Sequence, residues 1–238
     1  MTYYTNIIEY YDILFPVEPA RVDYVERNGK GPQRVLEVGC ATGCLSKALR
    51  DRGHQVVGVD VDSAILDKAM EKAAEGLEFK LSDPLKLDRV LEGEVFDQIL
   101  CLDNYLAHLP NEMAVRHFLL HARELLKPEG VLTLHLVNYS KLMREGITEL
   151  PTIEREGVVL KRKNCLEQQG MECYMELHVD GRLVDTRSNM PLFPVKATQM
   201  EALLQESGFG EIRMYGDFEG ELEVQDSVYV VFRAVAVA

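Results

Sequence analysis

Apolar residues along the chain follow two rhythms: short runs closed by a glycine or an acid, and longer stretches with apolar positions three and four residues apart. The first marks buried strands and the second amphipathic helices. Val35, Leu36 and Val38, broken by Glu37, form one run and end in Gly39-Cys40-Ala41-Thr42-Gly43. From Cys44 a helical stripe takes over, Cys44, Leu45, Ala48 and Leu49, until Gly53 stops it. His54 to Asp60 predicts a second buried strand. Asp62 or Ser63 can cap the helix behind it, whose stripe is Ile65, Leu66, Ala69, Met70 and Ala73, with Gly76 at its end. Leu77 to Leu81 predicts a third strand running into Ser82-Asp83-Pro84, and Val95 to Leu102 a fourth. Asn111 is placed to cap a helix carrying Val115, Phe118, Leu119, Ala122, Leu125 and Leu126, stopped by Lys127-Pro128. Gly130 then turns into a fifth strand, Val131 to Val137.

Repeated alternation of strand and helix means an α/β fold with a parallel sheet covered on both faces. From Asn138 to Val195 the alternation fails, over a span too long for a structureless connection. There Met171, Cys173, Met175, Leu177 and Val179 alternate with polar residues, Asp180-Gly181 signals a hairpin, and Arg182 to Asn189 should return antiparallel. Val158 to Lys163 can add a further strand, so residues 141–195 read as a small antiparallel insert, a lid on the substrate side of one domain spanning 1–238. Thr198-Gln199-Met200-Glu201 has the form of a capping box opening a helix with Met200, Leu203 and Leu204. Strands near Ile212 to Tyr215 and Ser227 to Val237 complete the sheet. Residues 5–15 predict a short amphipathic helix closed by Pro16, which either covers the mouth of a site or packs on the sheet.

Composition narrows the function classes. A chain of 238 residues with 47% hydrophobic and 27% charged residues can bury a sizeable core. Its formal net charge of -13 argues against nucleic acid as a partner, because that affinity rests on Lys and Arg contacts to phosphate. The dense basic triplet Lys161-Arg162-Lys163 reads as a solvated edge. Cysteines 40, 44, 101, 165 and 173 form no C-x-x-C pair, which speaks for reduced thiols in a cytoplasmic protein and against a metal site. The start, MTYYTNIIEYYDILF, has neither a basic leader nor a membrane anchor, and no run reaches the roughly 20 apolar residues of a membrane helix.

The chemistry concentrates at the glycine turn. A strand, a glycine turn and a helix start form the first half of a nucleotide-binding βαβ unit, and Asp60 lies 17 residues beyond Gly43, close to the spacing of about 20 at which a strand-end carboxylate meets a ribose. The turn is not the dinucleotide G-x-G-x-x-G, and no Gly-Lys-Ser/Thr follows to make a phosphate loop. Glu37-x-Gly39-x-x-x-Gly43 resembles the first motif of class I S-adenosylmethionine-dependent methyltransferases. Asp60, Asp83, Phe96-Asp97, Leu126-Lys127-Pro128-Glu129-Gly130 and the L-x-x-x-G-F of Leu204 to Phe209 follow in that family's order. A narrower similarity joins Cys101 to Pro110 and the Asn138-Tyr139 pair to the glycine N-methyltransferase branch. Asp103 and Tyr105 depart from that branch, and no arginine for a substrate carboxylate can be placed.

The resemblance implies a Rossmann-like seven-stranded sheet in the order 3-2-1-4-5-7-6, strand 7 antiparallel, with the insert after strand 5. It implies S-adenosylmethionine as cofactor and S-adenosylhomocysteine as product. Glu37, Gly39, Cys40, Ala41 and Gly43 would form the methionine side of the site. Asp60 would take the ribose, Val61 the adenine face, Asp83 with Pro84 the adenine edge, and Leu102 would pass the sulfonium. Methyl transfer is a direct displacement, so a base is needed only for an acceptor that arrives protonated. His108, His135 and Tyr139 are candidates for that role, and Asn138 for an orienting amide; a packing or capping role is the alternative for each. The expected reaction is methylation of a small molecule on nitrogen or oxygen. The competing readings are a catalytically silent cofactor-binding module and a methyltransferase acting on protein or tRNA.

Overall fold

Successive residues of a strand point to opposite faces, so a strand apolar at consecutive positions must be covered on both. In the computed structural model, which describes residues 7–167, 170–220 and 224–237, β1 (Arg34–Val38) is such a strand. Val35 enters one core and Leu36 the other. It is followed by β2 (Gln55–Asp60), β3 (Leu77–Leu81), β4 (Phe96–Cys101) and β5 (Leu126–Val137). A separate antiparallel sheet then contains β6 (Glu149–Arg155), β7 (Val158–Glu167), β8 (Gly170–Val179) and β9 (Arg182–Leu192). Two last strands, β10 (Phe209–Tyr215) and β11 (Tyr229–Ala236), return to the first sheet, whose order is β3-β2-β1-β4-β5-β11-β10. Only β11 runs against its neighbours, and the sheet has the expected α/β order with its penultimate strand reversed.

The helices are α1 (Tyr11–Leu14), α2 (Pro19–Arg27), α3 (Cys44–Asp51), α4 (Ser63–Met70), α5 (Leu87–Val90), α6 (Glu112–Leu125), α7 (Tyr139–Glu145) and α8 (Ala197–Glu206). Most are too short to persist alone in water and are held by the apolar stripes they bury. The stripe of α6 (Val115, Phe118, Leu119, Ala122) packs with Leu203 and Leu204 of α8 on one face of the sheet. Leu45 and Leu49 of α3, Leu66 and Ala69 of α4, and Val22 and Val25 of α2 cover the other. Asp62 caps α4 by accepting from the Ala64 amide at 3.0 Å, and Asn111 caps α6 by accepting from Ala114 at 3.0 Å.

Several expectations are corrected. The α4 stripe ends at Met70, and Ala73 lies outside the helix and exposed. The capping box at Thr198 does not form, because α8 starts one residue earlier, at Ala197. The Ala197 amide instead donates to the Ser140 hydroxyl on α7 at 3.2 Å. β5 begins at Leu126 rather than Val131: Glu129 adopts a left-handed φ of 64°, and the pairing with β4 jumps from Phe96↔Leu126 to Gln98↔Val131. α2, α7 and β6 had no predicted counterpart. Of the helix expected over 5–15, residues 5 and 6 lie outside the described residues. The remainder is a single 3₁₀ turn, Ile8–Tyr10, leading into α1. Ile7 and Leu14 are buried in a third core beneath the insert sheet, with Leu160, Cys173, Met175 and Met190. The neighbour order of the main sheet reverses at β1, which has β2 on one side and β4 on the other, and such a switch point opens a crevice at the strands' carboxyl ends.

Candidate active site

Three left-handed residues shape the turn after β1: Gly39 at φ 78°, Ala41 at 48° and Gly43 at 75°. The amides of Gly39 and Cys40 both donate to the Val59 carbonyl, at 2.8 and 3.0 Å, and pin the turn to β2. A Cβ on Gly39 would lie 2.5 Å from the Tyr105 ring, and one on Gly43 2.5 Å from the Phe79 ring, so both positions demand glycine on space as well as on φ. Gly43 then opens α3.

The acids around this turn have different surroundings. Asp60, buried at the end of β2, accepts from the Ala41 amide through Oδ2 and from the Asp62 amide through Oδ1, each at 3.0 Å. Burial raises its pKa against the pull of those amides. Asp83 accepts from the Leu85 amide at 2.9 Å and caps the 3₁₀ turn Pro84–Lys86, keeping its second oxygen 3.7 Å from Lys86. Glu37 is buried and accepts a hydrogen bond from the Ser46 hydroxyl; burial, with the nearby Asp103 charge adding, pushes its pKa up to about 8. The Tyr105 ring packs against Gly39 of the turn. Burial, then the Asp60 carboxylate, drives its phenol well above the ordinary range.

A cavity of about 800 Å³ opens at the switch point. Glu37, Gly39, Cys40 and Ala41 line it; Gly43, Asp60, Val61, Asp83, Pro84 and Leu102 do not. Val61 is exposed, and Pro84 and Leu102 are buried. The predicted cofactor residues therefore fall into two groups, one lining the cavity and one outside it, joined by the hydrogen bond from the Ala41 amide to Asp60.

Of the acceptor-side candidates, His108 and His135 line the cavity, while Asn138 and Tyr139 do not. Burial pushes the His108 pKa down to about 4, which keeps the imidazole neutral. His135 Nδ1 lies 3.3 Å from both the amide nitrogen and the carboxylate of Asp103, and its ring packs against Phe218 and Tyr229 at 5.1 and 5.2 Å. Asn138 uses its whole amide internally. Oδ1 accepts from the Lys141 amide at 3.1 Å, and Nδ2 donates to the carbonyls of Val224 and Ser227 at 2.8 and 3.1 Å. The Tyr139 hydroxyl bonds the Asn104 amide group at 2.9 Å, and Asn104 in turn lines the cavity. Both residues are thus structural supports beneath the cavity rather than part of its wall.

Sequence reasoning missed Arg21, on a helix it did not predict, and Asp12, on the short helix it did. Arg21, on α2, makes a bidentate pair with Asp103, 2.8 Å on each arm, and its guanidinium carbon lies 5.2 Å over the Phe218 ring. The pair holds the Asp103 carboxyl far below the usual carboxylate range, against the opposing effect of burial. Asp103 itself sits at φ 54°, a conformation natural to the glycine of the resembling pattern. The ion pair offsets that strain. α1 closes one side of the cavity, with Asp12 accepting from Thr42 of the glycine turn at 2.5 Å.

Comparisons with known proteins bear on the donor. A methyltransferase domain family matches residues 35–130. A glycine/sarcosine N-methyltransferase of Parasynechococcus marenigrum (strain WH8102) is 30% identical over 207 residues, 82% of this chain and 70% of that protein. The chain belongs to the class I S-adenosylmethionine-dependent methyltransferases. A ubiquinone biosynthesis O-methyltransferase of Actinobacillus pleuropneumoniae serotype 7 (strain AP76) is 32% identical over 130 residues, 51% of this methyltransferase and 54% of that one. In fold, the structure is similar to the CcbJ methyltransferase from Streptomyces caelestis, with a TM-score of 0.79 and 23% identity over 98% of this chain and 96% of the other.

S-adenosylmethionine is the cofactor of this family, and the residues present fit it. The Asp60 carboxylate accepts from the backbone around it and still has acceptor capacity for a hydroxyl. Asp83 Oδ2 has Lys86 Nζ at 3.7 Å and retains acceptor capacity for an amino group, and the turn at Gly39 carries no side chain where the cavity meets the backbone.

Proposed function

We propose that this methyltransferase transfers the methyl group of S-adenosylmethionine to a nitrogen or oxygen of a small molecule bound in the 800 Å³ cavity. The observation that carries this reading is the enclosure of the glycine turn. α1, α2 and the insert sheet wall off the space in front of Gly39 to a size suited to a small acceptor, whereas a macromolecular substrate needs an open face. The relatives' names are compatible with either target atom, since one names an N- and another an O-methyltransferase.

Bound S-adenosylmethionine supplies an activated methyl group on a sulfonium, so the chain's task is binding, alignment and exclusion of water. Asp60 is assigned to the ribose hydroxyls and Asp83 with Pro84 to the adenine edge, with Val61 beside the base and Leu102 towards the sulfonium. Glu37, Gly39, Cys40, Ala41 and Gly43 shape the methionine side. On the acceptor side, His108 and His135 face the cavity. Burial keeps His108 neutral, and a pKa of about 4 makes it a weak base that suits orienting an acceptor through a hydrogen bond more than taking its proton. Calorimetry tests the donor half: S-adenosylmethionine should bind the wild type, and Asp60→Ala should weaken it about 10- to 100-fold through loss of charge-assisted hydrogen bonds. Equal affinity in the two proteins overturns this assignment.

A further inference from the structure

The triplet Lys161-Arg162-Lys163 is not the solvated edge its sequence suggests. On β7 the period of two turns Lys161 and Lys163 outward to solvent, while Arg162 and Asn164 face inward and line the cavity. Asn164 is only 3% exposed, and among the described residues neither its side-chain oxygen nor its side-chain nitrogen has a hydrogen-bond partner. A buried amide with both ends unmade costs about 1–3 kcal/mol per group, so a fold seldom keeps one without a use for it. Arg162 shows the same want. Its Nη2 donates to the Tyr229 hydroxyl at 3.1 Å, its Nε is buried without an acceptor, and among the described residues no carboxylate lies within ion-pair distance. Arg21, across the cavity, is neutralised by Asp103. Among the described residues, Arg162 is therefore a cation facing the cavity without a counter-ion, beside a side-chain amide that lacks partners.

We infer that Arg162 and Asn164 form the anion subsite for the methyl acceptor, and that the acceptor carries a carboxylate. The guanidinium presents a planar fork suited to two oxygens, and the Asn164 amide adds one more donor. The walls around them, Leu160, Met175, Met190 and Leu192, are apolar. The acceptor thus has an apolar body next to its carboxylate and is methylated on an amine or hydroxyl at its other end. This deepens the small-molecule reading and rests on it.

The test titrates acetate, benzoate and 3-phenylpropionate, each against its primary amide, by ligand-observed NMR and calorimetry. The full chain is used with and without S-adenosylhomocysteine. The carboxylates should bind at least tenfold tighter than their amides, benzoate and phenylpropionate tighter than acetate. Arg162→Met should weaken carboxylates about 10- to 100-fold and leave S-adenosylmethionine affinity unchanged. Asn164→Asp supplies the missing counter-ion from within, so it should fold at least as stably as the wild type and abolish carboxylate preference. Amides binding as well as acids, or carboxylate affinity retained in Asn164→Asp, overturns the subsite. Loss of donor rather than carboxylate affinity in Arg162→Met also overturns it, by assigning Arg162 to the donor's own carboxylate. Failure of the donor to bind at all counts against the methyltransferase reading instead, and the acid-versus-amide comparison is read on the cavity in either case.

Discussion

Replacing Glu37 by glutamine gives a sharp test of the site's electrostatics. The Glu37 side chain is 6% exposed, and burial lifts its pKa from 4.5 to about 8 despite the Ser46 hydroxyl that donates to it. In the unfolded chain the carboxyl ionises near its ordinary value. Below pH 4.5 both states hold the proton and stability is unaffected. Between 4.5 and about 8 the native state keeps a proton that the unfolded state releases, so stability falls as pH rises, at about 1.4 kcal/mol per pH unit. Above that window the loss is complete, at about 3–5 kcal/mol when some relaxation of the buried site is allowed. Glutamine preserves the shape and a partner for Ser46 without the charge. Urea unfolding of the wild type and Glu37→Gln, measured from pH 5 to 9 with m-values compared, should show nearly equal stability at the acid end and a variant about 3–5 kcal/mol more stable at pH 9. Parallel profiles for the two proteins refute the claim that Glu37 is held protonated.

Other predictions rest on separate features. Gly43→Ala combines a φ of 75° with a Cβ 2.5 Å from Phe79, whereas Gly53→Ala meets a φ of 93° in open space. Urea midpoints should report a loss of about 1–2 kcal/mol for Gly53→Ala and roughly twice that for Gly43→Ala, and equal losses contradict the packing argument. His108, with its pKa lowered by burial to about 4, should cost stability as pH falls from 6.5 towards 4, because the unfolded state gains the proton first. His108→Gln should lose about 2–3 kcal/mol of that acid-side slope in the same titration. Asp103→Asn leaves the Arg21 cation without its bidentate partner. It should lower stability by about 1–2 kcal/mol, an amount reduced by the exposure of Asp103 to the cavity and diminished further in high salt.

What the sequence makes legible follows the local origin of each signal. β3 is readable to the residue because its alternation of Leu77, Phe79 and Leu81 with charged residues is bounded by Gly76 and Ser82, and the caps Asp62 and Asn111 announce themselves by type and position. α2 has only Val22, Tyr24 and Val25 buried in nine residues, too sparse a stripe to detect, although Pro19 in its first turn was a usable sign. β6 carries Pro151 and three charged residues, so its pairing with β7 is decided by tertiary contact. Asp60 and Asp83, the acids proposed to hold the cofactor, are legible because strand ends and spacing place them. The acceptor wall is not. Arg21 meets Asp103 across 82 residues, and the inward turn of Arg162 depends on which face of β7 the third core covers. Asn138 and Tyr139, adjacent in sequence to the site, turn out to brace it from below.

Methyl transfer to a small acceptor in the cavity is tested most directly by product formation. S-adenosylhomocysteine release, followed by mass spectrometry while the protein and S-adenosylmethionine are supplied with a panel of amines, amino acids, phenols and amphipathic carboxylates, should depend on an acceptor and collapse in Asp60→Ala. Saturated donor binding with no acceptor-dependent S-adenosylhomocysteine across that panel, or methyl transfer to protein or tRNA instead, contradicts it.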